Sequence, residues 1–321
     1  IDVPVISVIE AGAEATVEAL SSTGEGAVGV LATCGTVASE AYPKAIAACA
    51  RQRGRSPVAV VQQGSVGLAG AIDGLPEFVL PPARAAHPRP EYLGPSLVHP
   101  QAPIDPRLLP RYCFDFSLGR MVWEGTETQP ARLEINSVEN YVAYETVNLL
   151  EKLRAQPSAR PLVAIVLGCT HYPYVAQAFR AKLRQLYDYQ ENGRYVYRGV
   201  LAAEVRCIDP AEHVARRLYQ ALSTGAKRRH SADARLQATR GEFYITVPNP
   251  VHPGVQLASH GGFTQSYKYG RAHSLGVDDV RIVPLTPRQL APDVSARLER
   301  RLPAAWELLQ RFGLLASGKA Q

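Results

Sequence analysis

Short apolar runs alternate with stretches of helical spacing along much of this chain. Residues 162–167 are aliphatic and carry no charge, which is typical of a parallel strand covered on both faces. Beyond Pro173 the apolar residues recur at the helical period (Tyr174, Val175, Phe179, Leu183, Leu186). The region therefore predicts a strand, a tight loop and a helix, which is half of a βαβ unit.

The same alternation extends through the first two thirds of the sequence. Further strands are predicted at residues 5–9, 27–32 and 57–61, and helices at residues 13–20, 39–51 and 137–153. Ser137 and Asp209 are predicted to cap the helices that follow them, with Pro210 at a first helical position. Strands alternating with helices predict an α/β fold built on a doubly wound parallel sheet.

Two regions break this alternation. Residues 76–134 are predicted to be an insertion, because nine prolines between positions 81 and 110 exclude a helix or a central strand there. We expect this insertion to be an ordered but irregular surface segment that packs on the body of the protein through residues 112–116. A lid over the active site, a surface elaboration and an oligomer contact are all compatible with it. Residues 226–235 predict a basic flexible link, residues 260–271 a glycine-rich loop and residues 296–312 a last helix.

Composition narrows the class of protein. With 321 residues, 46% apolar and 20% charged, the chain is expected to form one large or two medium globular domains. No apolar run is long enough for a membrane span, and no signal-peptide pattern appears. Five scattered cysteines without a CxxC pair argue against disulfides or zinc and favour the cytoplasm. The net charge of +6 is spread out, so nucleic-acid binding is not expected.

Candidate chemistry lies in the loop after the apolar run at 162–167. Cys169 follows that strand, and ligands of open parallel sheets collect at the carboxyl ends of strands. A thiol has a pKa of about 8.5, and an imidazole such as His171 or the start of a helix would raise its thiolate fraction. Taken residue by residue, a buried inert cysteine beside a surface histidine fits equally well.

Three stretches carry a resemblance to a known family. Residues 167–173, Leu-Gly-Cys-Thr-His-Tyr-Pro, resemble the second-cysteine motif of glutamate racemases, within the aspartate/glutamate racemase family. Residues 28–42 resemble that family's strand and threonine-rich substrate loop. Residues 8–12, Val-Ile-Glu-Ala-Gly, resemble its Val-Ile-Glu-Pro-Gly turn with alanine in place of proline.

The resemblance implies a cofactor-independent and metal-independent conversion of L-glutamate to D-glutamate for peptidoglycan synthesis. One cysteine removes the α-proton and another returns one. Cys169 matches one of these bases and His171 the residue that assists it; Thr170, Thr33 and Thr36 match residues that hold the substrate. The implied protein is cytoplasmic and compatible with a homodimer.

The family fold implies two similar flavodoxin-like domains, the first incomplete here. Residues 11–206 would form the second domain, and residues 207–321 the C-terminal remainder of the first. Residues 204–212 resemble the family's next strand and its Asp-x-Ala helix start, and residues 241–246 resemble its Phe-Tyr-Thr strand near the C-terminus. A segment before Ile1 would carry the Asp-Ser-Gly-x-Gly-Gly loop and the first catalytic cysteine in a Cys-Asn-Thr-Ala-Ser context. Neither motif occurs in this chain.

Several assignments stay open on the sequence alone. Asp73 is the only carboxylate near the position where the family supports its histidine, and the equivalence is weak. Cys34, beside Thr33 and Thr36, is a candidate second base outside the family's cysteine context, whereas Cys49 and Cys207 are predicted core residues and Cys113 has no assigned role. Alternatives are an aspartate or hydantoin racemase, a decarboxylase of the same fold, and a non-catalytic binding protein.

Overall fold

The computed structural model describes residues 5–23, 26–81, 89, 91–157, 159–224, 243–258, 261–264, 267, 277–285, 290 and 292–313. The chain divides into two units, Ile1–Arg228 and Arg229–Gln321. Our sequence prediction placed a boundary after residue 206. The division falls later because the helix that follows the last strand of the sheet packs on the first helix of the same unit.

A four-stranded parallel sheet forms the centre of the first unit. Its strands are β1 (Ala27–Thr33), β2 (Ala59–Ser65), β5 (Leu162–Leu167) and β8 (Leu201–Ile208), in the order β2-β1-β5-β8. The predicted α/β class is confirmed, and β5 has the predicted bounds. All six residues of β5 are buried, as expected for a strand covered on both faces.

Helices cover both faces of this sheet. On one face lie α1 (Val8–Thr23), α3 (Ala41–Gln52) and α8 (Pro210–Thr224); on the other lie α4 (Leu68–Asp73), α6 (Val138–Arg154) and α7 (Ala176–Tyr187). Alternation along β1 divides the core accordingly: Val28 and Val30 pack with α1 and α3, whereas Ala27 and Leu31 pack with α6. The short helix α2 (Cys34–Ala38) follows β1 directly.

Predicted helix caps are confirmed. The Ser137 hydroxyl accepts a hydrogen bond from the backbone N–H of Asn140, and the Asp209 carboxylate accepts one from that of Ala211 at 2.9 Å. Pro210 is the first residue of α8, where its missing N–H costs no intrahelical hydrogen bond.

Our prediction of a strand at residues 5–9 and a turn at residues 8–12 was wrong. Helix α1 begins at Val8, and the Ser7 hydroxyl accepts a hydrogen bond from the N–H of Glu10 at 3.3 Å. Alanine and glutamate are abundant in α1 and are strong helix formers, so helix propensity outweighs the short apolar alternation that suggested a strand.

The insertion is ordered in the residues that the structure describes. It contains α5 (Leu109–Tyr112) and an antiparallel hairpin of β3 (Met121–Gly125) and β4 (Pro130–Ile135). The predicted docking patch is confirmed: Tyr112 and Phe114 are buried with their rings stacked at 4.8 Å. Asn140 of α6 fixes the patch by accepting a 2.9 Å hydrogen bond from the Asp115 N–H. Residues 82–88 and 90 lie outside the described residues.

Small elements complete the description of both units. The first unit also has a short hairpin of β6 (Gln190–Glu191) and β7 (Arg194–Tyr195). In the second unit, β9 (Tyr244–Pro248) pairs antiparallel with β10 (Val280–Pro284). The assignment of this unit to the remainder of another racemase domain stays a prediction. The predicted link at 226–235 and most of the loop at 260–271 lie outside the described residues.

A single last helix at 296–312 was also a wrong prediction. Two helices, α9 (Pro292–Arg301) and α10 (Pro303–Gly313), are separated at Leu302. Pro303 lacks a backbone N–H and disfavours helical geometry at the residue before it, so one helix ends and another begins there.

Candidate functional site

The candidate site lies at the carboxyl edge of the parallel sheet. Leu31 of β1 pairs with Leu167 of β5, and the Gly168 N–H donates to the Leu31 carbonyl at 2.8 Å. The chain winds from β1 outward to β2 on one side, whereas β5 lies on the other side of β1. Ligands of open α/β sheets bind at such a change of direction. Cys34 and Cys169 both leave the sheet there.

Cys169, His171 and Asp73 form a chain of polar contacts at this edge. The Cys169 Sγ lies 3.6 Å from His171 Nδ1, and His171 Nε2 lies 3.0 Å from the Asp73 carboxylate. Asp73 ends α4, which follows β2, so the contact joins residues 98 positions apart. The histidine and aspartate side chains are 33% and 36% exposed, so a small solute has access to them.

This geometry assigns the proton on the neutral imidazole. An ionised carboxylate only accepts hydrogen bonds, so the His171 nitrogen facing Asp73 carries the proton. The nitrogen facing Cys169 then has a free lone pair and is able to accept the thiol proton. Asp73, only weakly indicated by the sequence, is the carboxylate that orients the histidine.

The electrostatics of Cys169 differ from our expectation of an increased thiolate fraction. Burial raises the pKa of its thiol, and the nearby Asp73 charge raises it further. Hydrogen bonding from the backbone N–H groups of His171 and Tyr172 lowers the pKa but does not outweigh burial. Cys169 therefore rests as a thiol at neutral pH, and it needs a base such as His171 to become a nucleophile or a carbon base.

The structure brings the three predicted threonines to the same edge. Thr33 ends β1 and caps α2, where its Oγ1 lies 3.0 Å from the Oγ1 of Thr36. The exposed Thr170 places its hydroxyl 3.5 Å from His171 Nδ1. These hydroxyls offer donors and acceptors to a polar solute, although the Thr33 contact also has the structural role of a helix cap.

Cys34 occupies the matching place after β1. Its Sγ donates to the carbonyl of Ser65 at 3.6 Å, at the end of β2. Gly64 has no side chain and so leaves room for this contact. A Cβ at that position would crowd the Cys34 sulfur at 3.3 Å. Burial raises the pKa of Cys34, and the Glu145 charge raises it further.

Glu145 is a functional candidate that our sequence reasoning missed. It lies on α6, is fully buried, and accepts a 2.8 Å hydrogen bond from the amide of Gln63. Burial raises its pKa from 4.5 to about 7. The sequence does carry a signal for this residue. Glu145 lies four residues after Tyr141 and four before Leu149, so it falls within the apolar stripe of the helix, where a carboxylate is unusual.

The remaining cysteines and a large groove are separate from the Cys169–His171–Asp73 contacts. Cys49 is buried in α3, as predicted, while Cys207 is only partly buried in β8. Cys207 lines a groove of about 800 Å³ between α1, α7, β8 and α8, and neither Cys169 nor His171 belongs to its lining.

The described ranges hold neither a group of metal ligands nor a helix suited to a membrane. Among those residues, no three or more histidine, cysteine or carboxylate side chains are grouped as a metal site would require. The helices described there are all too short or too polar to cross a bilayer.

Comparison with known proteins adds no assignment. Neither the models of protein families nor the sequences of curated proteins match this chain.

Proposed function

We propose that this protein is an amino-acid racemase of the glutamate racemase type, which moves the α-proton of glutamate between thiols without a cofactor. The observation that carries the proposal is the Cys169–His171–Asp73 arrangement beside Thr33 at the sheet edge. The motif Cys-Thr-His-Tyr-Pro at 169–173 favours glutamate over the other substrates of related racemases.

In the proposed mechanism, His171 accepts the proton of the Cys169 thiol and leaves a thiolate. Asp73 stabilises the resulting imidazolium through the 3.0 Å contact. The thiolate then removes the α-proton of glutamate, the electron pair of the broken C–H bond stays on carbon, and a second thiol donates a proton to the opposite face of that carbon. Because this carbon is a very weak acid, donors at the edge must stabilise the developing negative charge.

The threonines supply these donors in the proposal. Thr170 follows the thiol directly, and Thr33 and Thr36 extend from the neighbouring strand. Their hydroxyls, with exposed backbone N–H groups, would bind the substrate carboxylates and orient the α-carbon toward Cys169.

A wider set of properties belongs to the same proposal. The sheet described above would be one of two flavodoxin-like, doubly wound domains, and the reaction would supply D-glutamate for peptidoglycan in the cytoplasm. The proline-rich insertion has no role in the chemistry as proposed, because its described residues anchor on α6.

The proposal is tested by hydrogen exchange at the α-carbon of glutamate in heavy water, followed by NMR. The complete protein that contains this sequence is expected to exchange the α-proton of L- and D-glutamate. Cys169→Ala removes the base, and we expect racemisation to fall by about 10³-fold.

Cys113→Ala is the matched control, because this partly exposed thiol belongs to the insertion and donates a hydrogen bond to the Pro110 carbonyl. Exchange by Cys113→Ala should equal that of the unmodified protein. Full exchange by a folded Cys169→Ala variant would refute the proposal, and exchange of aspartate instead of glutamate would reassign the substrate.

A further inference from the structure

The large groove of the first unit runs along a free edge of the parallel sheet. We call this cavity of about 800 Å³, lined by β8, α1, α7 and α8, the β8 groove. Strand β8 is last in the strand order, and among the residues that the structure describes it pairs only with β5. Ala203, Glu204 and Arg206 of this strand are exposed. An edge strand presents backbone N–H and C=O groups that another extended segment can pair with.

Helices border this edge on both faces of the sheet. One wall of the β8 groove comes from α7, through Arg180, Leu183 and Arg184, and the other comes from α1 and α8. The free edge therefore lies between two helical walls. A second copy of this chain carries the same helices beside its own β8, and those helices would meet the walls before the two strands could pair. A single extended segment without flanking helices has no such obstacle.

The wall formed by α7 is basic. Arg180 and Arg184 are four residues apart, so they project from the same face of the helix. Asp188, at the end of α7, also lines the β8 groove, but its carboxylate is paired with Arg198 at 2.9 Å. Within the described part of the chain, no salt bridge joins Arg184 to a carboxylate. This wall therefore offers two positive charges to an acidic ligand.

The opposite wall carries both signs of charge. Its lining includes three glutamates and two arginines, namely Glu18, Glu204, Glu212, Arg206 and Arg216. Charges of both signs nearly cancel there, so this wall favours neither an acidic nor a basic side chain. The charge preference of the β8 groove is thus set by the side that faces α7.

We propose that the β8 groove binds an extended acidic segment of a partner protein, which adds to β8 as a further strand. Its carboxylates, at alternate positions, would face Arg180 and Arg184. Residues four apart in a helix are separated by about 6 Å along its axis. Residues two apart in a strand are separated by about 6.6 Å, so the two spacings match. Backbone pairing supplies affinity in this mode of recognition, and alternate side chains supply specificity.

This interaction goes beyond the proposed racemisation and does not depend on it, because neither Cys169 nor His171 lines the β8 groove. The probe is a rhodamine-labelled peptide of about eight residues, the usual length of a strand, in which glutamate and threonine alternate. Fluorescence anisotropy measures its binding to the complete protein at low ionic strength. We expect saturable binding.

Three comparison peptides separate the contributions to binding. A peptide of the same composition, with all its glutamates before its threonines, should bind about tenfold more weakly, because it cannot place carboxylates at alternate positions. N-methylation of alternate backbone nitrogens should also weaken binding about tenfold, because it removes strand-pairing donors. Lysine in place of glutamate should weaken binding at least about tenfold.

A pair of protein variants locates the binding. Arg184→Glu reverses the charge in the last turn of α7, and we expect the affinity for the alternating peptide to fall about tenfold. Arg51→Glu is the matched control, since Arg51 is an exposed arginine in the last turn of α3, a helix of the same length, and does not line the β8 groove. Its affinity should equal that of the unmodified protein.

The contrary outcomes are distinct. Absence of saturable binding, or equal affinity for the alternating peptide and the peptide with grouped glutamates, would overturn the proposal. Equal affinities of Arg184→Glu and Arg51→Glu would do so as well. Self-association of the protein that the peptide reverses, seen by analytical ultracentrifugation, would instead assign the β8 groove to a second copy. Racemisation enters none of these measurements, so failure of the proposed function leaves this inference standing.

Discussion

Cys169 and Cys34 leave neighbouring parallel strands at the same sheet edge, yet their surroundings differ. Cys169 faces an imidazole at 3.6 Å, and that imidazole is held by an accessible carboxylate. The sulfur of Cys34 contacts a backbone carbonyl, and the charge of the fully buried Glu145 carboxyl raises the pKa of this thiol. One thiol thus has a base able to remove its proton, whereas the other has a neighbour whose charge opposes ionisation.

The two thiols differ through the residues next to them, which change how easily each sulfur loses its proton. Burial raises the pKa of both sulfurs, so the cysteines by themselves are similar. Asp73 and Glu145 are both carboxylic acids, but Asp73 acts through His171 and Glu145 acts through space. Replacing Asp73 and replacing Glu145 should therefore affect the two thiols differently.

The largest expected effect comes from replacing the Cys169 thiol by a hydroxyl. In Cys169→Ser, racemisation of glutamate should fall by about 10³-fold, because an alcohol is a far weaker acid than a thiol. Cys34→Ser should keep most of the racemisation, because the Cys34 sulfur contacts a backbone carbonyl instead of an imidazole. Chiral chromatography of the recovered glutamate measures both rates. An equal loss of racemisation in the two variants would contradict this difference between the thiols.

The next effect concerns stability and the buried carboxyl group. The pKa of Glu145 is raised from 4.5 to about 7 in the folded protein, so folding is favoured while the group is protonated. That contribution is fully present below about pH 4.5 and is lost as the pH rises through about 7. Glu145→Gln lacks this titration. The difference in unfolding free energy between the variant and the unmodified protein should therefore shift in favour of the variant by up to about 3 kcal/mol from about pH 5 to pH 8.

Urea denaturation of both proteins at the two pH values measures this difference. Glu139→Gln, on the exposed side of α6, should show no such pH dependence. If the difference in unfolding free energy between Glu145→Gln and the unmodified protein is the same at both pH values, the buried carboxyl does not titrate in this range.

A smaller effect is expected at Asp73. Asp73→Asn keeps an oxygen acceptor for His171 but removes the charge that stabilises the imidazolium, so kcat should fall about tenfold with little change in KM. Asp188→Asn is the control, because Asp188 is exposed and forms an ion pair with Arg198. A kcat for Asp73→Asn equal to that of the control would mean that the carboxylate does not support the histidine.

Local features of the fold were predictable because their signals lie close together in sequence. The apolar run at 162–167 became β5 without any shift of its ends, and Ser137 and Asp209 cap helices as expected. The strand expected at residues 5–9 failed for a local reason as well: helix propensity outweighed a short alternation.

The candidate site was only partly predictable, because its contacts join distant parts of the chain. Cys169, Thr170 and His171 share one loop and carry a motif, so they could be chosen from the sequence. The His171–Asp73 contact spans 98 residues and the Gln63–Glu145 contact spans 82, and no periodic pattern encodes either pairing. The topology of the sheet brings them together.

Protection of the thiols by substrate tests most directly whether this edge is one amino-acid site that contains both cysteines. The complete protein would be alkylated with iodoacetamide in the presence and absence of saturating L-glutamate, with each cysteine quantified by peptide mass spectrometry. Our account predicts slower alkylation of Cys169 and Cys34 together, with Cys113 unaffected. Rates that are the same with and without glutamate at both Cys169 and Cys34 would contradict it.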